Sequence, residues 1–213
     1  MNMTLEATVN YAVPASHEQV LQTADAVRAR GIHVEIVDTA AEALEKVTAL
    51  IPAGATLMTG MSRTLQDIGF EARLIDKAHP WINLKDEILA ETDPAKQMEL
   101  RRNSILSPYF LGSVQAIVQT GEIVVASGSG SQIPAYTYSS LNVIWVAGVQ
   151  KIVPTLDDAL RRIREYALPH ENERLQALSG MNSMVAKILI IEQEPAMLRR
   201  NVNLILVNEP VGV

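Results

Sequence analysis

An α/β fold, with a mainly parallel sheet flanked by helices, is predicted by three observations. Amphipathic segments of helical period alternate with short apolar runs along both ends of the chain. Two apolar runs empty into glycine-containing corners that lead toward new helices, as strands do in parallel α/β folds. A further pair, AIVQTGEIVVA, is joined by Thr120-Gly121 and predicts an antiparallel hairpin within the parallel plan.

The elements follow in order. SHEQVLQTADAVRARG opens with Ser16 and Gln19, a capping box. Val20, Ala24 and Val27 share one helical face, and Gly31 supplies the stop. IHVEIV alternates like a strand with one buried face. In TAAEALEKVTALIPAG, Thr39 and Glu42 form a second box; Ala40, Ala43, Leu44, Val47 and Ile51 make the apolar stripe, and Pro52 ends it. ATLMT is a short buried strand running into GMSRTLQDIG. Residues 70–106 read as three helical pieces without a strand, a helical excursion suited to a lid or an oligomer face; Asp93 caps Pro94, and Ser107-Pro108 stops the last piece.

Strands resume with VQAIVQ, EIVVA and NVIWVAG. TLDDALRRIREYA is the strongest helix: Thr155 caps it, and Leu156, Ala159, Leu160, Ile163 and Ala167 line one side. Arg161, Arg162 and Arg164 suit its negative carboxyl end. HENERLQALSG is helical, and AKILIIE and NLILVNE close the chain as strands. With no repeat or interdomain linker, the expectation is a single domain over 1–213, its core at 17–210.

Composition removes several classes of function. The chain has no cysteine, which excludes disulfides, thiol catalysis, zinc–thiolate sites and any cysteine-held iron–sulfur cluster of its own. A net charge of −6 argues against nucleic-acid binding. No apolar run reaches the ~20 residues that span a bilayer, and MNMTLEATVNYAVPAS lacks the form of a signal peptide, so a cytoplasmic protein is expected. His17, His33, His79 and His170 are scattered, and no metal-binding spacing occurs.

Two corners carry the chemical interest. In the first, Gly60-Met61-Ser62-Arg63-Thr64, Gly60 permits a tight turn, Ser62 or Thr64 can cap a helix, and Arg63 can clamp a carboxylate or phosphate. In the second, Gly128-Ser129-Gly130-Ser131 leads to a short helix starting near Ser131, with Pro134 in its first turn. It is neither a Walker loop nor a dinucleotide fingerprint, yet a strand end passing through glycines to a helix start favours an anion. The other reading of each corner is a capped turn. Lys151, beyond VIWVA, offers a cation at a strand end, for an anionic ligand or for solvent alone; Glu122 follows the Gly121 turn and is the carboxylate among these loops, read either as an exposed strand-edge charge or as a nucleophile or base.

Three stretches together, TGMSRTLQDIG, GSVQAIVQTGEIVVASGSGS and VIWVAGVQKIVPTLDDALRRI, followed by LPHENERL, resemble the LUD domain, the lactate-utilisation family, over roughly residues 17–210. The resemblance implies the fold of sugar-phosphate isomerases and CoA transferases, with Gly60, Ser62, Arg63, Thr64, Gly121, Gly128, Gly130, Ser131 and Lys151 around a small anionic ligand. It also implies a role beside iron–sulfur subunits in oxidising L-lactate, or a similar 2-hydroxy acid, to pyruvate. The chain departs from the family pattern at Gln119, Gln132 and Gln150, where relatives often carry an acid, an arginine and an asparagine. Two alternatives stand beside that reading: an independent acyl-transfer or sugar-phosphate enzyme using Glu122, and a non-catalytic assembly subunit, in either case with homo-oligomers allowed.

Overall fold

Segments apolar on both faces become the centre of a parallel sheet, because helices or a second layer must cover both sides. The computed structural model describes residues 10–213, so most of the N-terminal stretch read for a signal peptide lies outside the described residues. α1 (His17–Ala29) starts at the Ser16 and Gln19 box, with Val20, Ala24 and Val27 buried. It is followed by β1 (His33–Val37), α2 (Ala40–Ala49), β2 (Thr56–Thr59) and α3 (Arg63–Asp67). Thr39 caps α2, but the Glu42 carboxylate accepts from the Asp38 amide, one residue earlier than a reciprocal box requires.

The middle segment holds α4 (Phe70–Ile75), β3 (Ile82–Asn83), α5 (Leu84–Ala90) and α6 (Pro94–Asn103), then β4 (Tyr109–Gly112). Three helices were expected there and are found, but the two strands were not. β3 is a two-residue edge strand beside β2. β4 lies between β2 and β7 (Asn142–Gly148), and its last three residues are buried. Phe70, Leu74 and Trp81 also belong to the main core, so the segment is anchored where it leaves α3.

The remaining elements are β5 (Ala116–Val118), β6 (Ile123–Ser127), β8 (Ile152–Val153), α7 (Leu156–Arg162), α8 (Leu168–Ser179), β9 (Lys187–Ile191) and β10 (Asn201–Val207). A six-stranded sheet runs β1-β10-β7-β4-β2-β3, parallel throughout. The expected hairpin of β5 and β6 grows into a mixed four-stranded sheet, β8-β5-β6-β9.

Strand periodicity sorts the side chains into layers. Val143, Trp145 and Ala147 of β7 join Val202, Leu204 and Leu206 of β10 in a core between the sheets, shared with α1. Ile144 and Val146 face the opposite core with α2, α3 and α4. A third cluster packs the outer face of the small sheet on α7.

α7 does not stop at its arginines. One π-helical turn, Ile163–Ala167, carries it directly into α8. Arg162 therefore points inward rather than at a helix end: it is fully buried, donates to the Gln115 carbonyl at 2.5 Å and stands over the Tyr166 ring at 5.1 Å.

Arg200 ties the β9–β10 connection to the helical turn that follows the glycine-rich corner, Ala135–Ser139. Its guanidinium donates to the carbonyls of Ala135, Tyr136, Thr137 and Ser140 over 2.8–3.0 Å, and to Glu194 at 3.0 Å, with side-chain exposures of 2% and 8% for the pair. Removing Arg200 leaves a buried carboxylate and four carbonyls without their donor. Arg200→Ala is therefore expected to lower the unfolding free energy by about 3–5 kcal/mol in urea titrations. A change lost in the scatter would show the pair to be idle.

Candidate functional site

Adjacent strands of a parallel sheet release their loops on one edge, where ligands of open α/β sheets collect. Here β2, β4 and β7 each deliver a polar side chain to one point. After β2, Ser62 caps α3 by accepting from the Leu65 amide at 3.2 Å, which turns Thr64 inward. After β4, Ser113 donates its hydroxyl to the Val146 carbonyl of β7 at 2.7 Å. After β7, one 3-10 turn, Val149–Lys151, brings Lys151 beneath both.

The three form a closed set. Lys151 Nζ donates to Thr64 Oγ1 at 2.9 Å and to Ser113 Oγ at 3.0 Å, and Thr64 donates to Ser113 at 3.0 Å. Lys151 is 2% exposed. Burial drives its amine well below the usual lysine value; the nearby Arg162 charge pushes the same way and Asp67 opposes it. Neither Asp67 oxygen accepts from the amine; one accepts from Arg63 Nε at 2.6 Å and the other from the Gly212 amide at 2.9 Å. Arg162 is itself held down to about 10 by burial.

Lys151 lies on the wall of a cleft of about 540 Å³. Gly60, Ser62, Arg63 and Thr64 form one side, and Ser127, Gly128, Ser129 and Ser131 another. The two glycine corners thus face a common space. Ile163, Leu168 and Leu175 of the α7–α8 run give an apolar wall, with Met184 and Val213 also lining the cleft. Arg63 keeps the outer fork of its guanidinium unpartnered among the described residues, beyond the Nε bond to Asp67.

The glycine-rich corner is stapled internally. The Ser127 hydroxyl accepts from the Gly130 amide at 2.8 Å and donates to Gln132 at 2.9 Å; the Ser131 amide turns onto Ser129 at 3.2 Å. Those two amides serve the loop, and the Ser129 hydroxyl donates to that of Ser131 at 3.1 Å. Gly130 is not among the lining residues, and its positive φ of 84° shapes the turn.

Gly121 and Glu122 lie elsewhere. Gly121 closes the hairpin against α1, and Glu122 pairs with Arg30 at 2.5 Å and with Thr120. Despite the penalty of burial, bonds from Thr120, its own backbone and Arg30 hold the Glu122 carboxyl below its ordinary value. Sequence reasoning missed Ser113, Tyr136 and the Gly212–Val213 segment. Recognising β4 would have exposed Ser113 as a strand-end residue. Tyr136 approaches the Ser113 carbonyl at 3.4 Å only because residue 112 is glycine, where a Cβ would collide with its hydroxyl.

A profile of the LUD domain matches residues 20–202. The chain belongs to the LUD domain family. Among solved structures, a DUF162 family protein from Deinococcus radiodurans superposes with a TM-score of 0.54 at 12% identity, covering 91% of this chain and 98% of that one. A weaker likeness, to eIF2B beta from Chaetomium thermophilum, has a TM-score of 0.37 at 18% identity and covers 66% of this chain and 47% of that one. No curated protein sequence shows significant similarity to it. Among the described residues of this LUD domain, no group of three His, Asp or Glu is placed to hold a metal ion, and no helix is long and apolar enough to cross a membrane.

The depressed amine makes stability depend on pH with a definite sign. Between the folded value of Lys151 and its ordinary 10.5, the unfolded chain binds more protons than the folded one. Wild type should therefore gain stability relative to Lys151→Met as pH rises through that window, measured by denaturant unfolding at several pH values. A constant difference would mean that the folded amine titrates normally.

Proposed function

We propose that this LUD-domain protein binds a small carboxylate in the cleft and supports oxidation of L-lactate, or a similar 2-hydroxy acid, to pyruvate together with iron–sulfur redox subunits in the cytoplasm. The observation that carries the reading is the meeting of Thr64, Ser113 and Lys151 at one strand edge, within a cleft flanked by both glycine corners. The cleft supplies a guanidinium fork at Arg63 for a carboxylate and serine hydroxyls at 62, 129 and 131 for its oxygens. A 2-hydroxyl group would donate to the Lys151 amine. Oxidation releases two electrons, and a chain without cysteine has no ligand of that kind for a cluster, so separate subunits would receive them.

Glu122, the carboxylate of the acyl-transfer alternative, is taken up by Arg30 away from this space. The assembly reading keeps one support: Leu89, Met98 and Leu106 are exposed along the middle segment. It is compatible with ligand binding, since a subunit that hands electrons to partners must also contact them.

Thermal melting with lactate and pyruvate tests the proposal. A ligand at a hundredfold excess over its Kd stabilises by about 2.7 kcal/mol, enough to move the midpoint by several degrees at this size. Arg63→Ala should weaken carboxylate binding about tenfold while leaving the unliganded midpoint nearly unchanged. No shift with any small carboxylate would refute the site.

A further inference from the structure

Lys151 differs from an ordinary buried cation in how its hydrogen bonds balance. Ser113 spends its single proton on the Val146 carbonyl, and Thr64 spends its own on Ser113. Both hydroxyl oxygens are therefore acceptors toward the lysine, and they take two N–H groups. A neutral amine has two such hydrogens and one lone pair. An ammonium would carry a third N–H with no acceptor among the described residues, and no carboxylate forms an ion pair with it there. The groups around it fit the neutral form: Thr64 from α3, Ser113 from the end of β4, Gly212 from the C-terminal segment, with Asp67 and Arg162 as the charges acting on it. Lys85, the other lysine whose value falls through burial, has Glu71 at 3.9 Å and so keeps a counter-charge.

From this geometry, and resting on the carboxylate-binding reading above, we infer that Lys151 is a nucleophilic amine that forms a reversible imine with the carbonyl carbon of a 2-oxo acid held in the cleft. The nitrogen lone pair bonds to C2, and the carbonyl π pair moves to oxygen, which takes up one of the two nitrogen protons. The resulting carbinolamine then breaks its C–O bond as the second nitrogen proton passes to the departing oxygen, releasing water and leaving C=N. No oxidant or reductant enters the step. The same lone pair only accepts a hydrogen bond from a 2-hydroxy acid, so the cleft would hold the reduced acid loosely and the oxidised acid covalently. Retention of the product in this way favours oxidation.

The test is borohydride trapping of the intact protein with pyruvate, read by whole-protein mass and peptide mapping, alongside melting curves without borohydride. A single reduced pyruvyl adduct on Lys151, absent with lactate and absent from Lys151→Met and Lys151→Arg, is the expected result. Mapping on wild type decides the matter even if a variant fails to fold. A melting shift with pyruvate but no adduct overturns the imine and leaves the carboxylate site standing. An adduct on Lys85 or on surface lysines also overturns it. Neither shift nor adduct overturns both.

Discussion

The parallel register of β7 between β4 and β10 is the constraint on which the rest depends. Every residue of β7 from Val143 to Gly148 is buried, and its alternate side chains enter two different cores. A slip of one residue would exchange those cores, sending Trp145 into the space that Ile144 occupies. The register also sets the site. Gly112 pairs with Trp145, so the next residue, Ser113, reaches the Val146 carbonyl and continues the ladder with a side-chain hydroxyl. Lys151 follows one tight turn beyond the same strand. The polar constellation is an extension of the backbone pairing rather than an ornament on a mobile loop.

Legibility in the sequence followed the strength of the periodic signal. Helices with a cap and a stripe, such as those opening at Ser16 and Thr155, could be placed because local capping and burial agree. β4 escaped because four residues after a proline, with three of them buried, carry no alternation. The continuity of α7 and α8 escaped for a different reason: Pro169 looks like a break, but the run passes through it, with the π-helical turn Ile163–Ala167 directly before the first turn of α8. At the site, Ser62, Thr64, Gly128, Ser131 and Lys151 could be named from strand-end logic, and all line one cleft. Glu122 could not be rejected from sequence, because its partner Arg30 is remote in the chain and only the packing of α1 on the hairpin brings it near.

Electrostatics and hydrogen-bond counting agree on Lys151 by separate routes. Burial in a region of low dielectric disfavours the charged amine, and Arg162 adds repulsion. Independently, two hydroxyl acceptors match the two hydrogens of the neutral form. Asp67 opposes both effects only through its charge, while its oxygens accept from the Arg63 guanidinium and the Gly212 amide. The C-terminal segment thereby influences the amine without donating to it.

Two glutamines, Gln150 and Gln132, hold the loops around the cleft. Gln150 donates to the carbonyls of Val211 and Gly212 at 3.0 and 3.3 Å, holding the tail over Lys151 and Thr64. A side chain at 212 would strike Thr64 Oγ1, so this close pass requires the glycine, whose φ is 74°. Gln132 locks Ser127 and with it the turn at Gly130. A carboxylate at either position would favour the cationic form of Lys151, whereas an arginine would disfavour it further. Neutral amides hold the same loops by hydrogen bonding alone. Gln132 and Gln150 therefore shape the walls of the cleft without adding a charge beside Lys151.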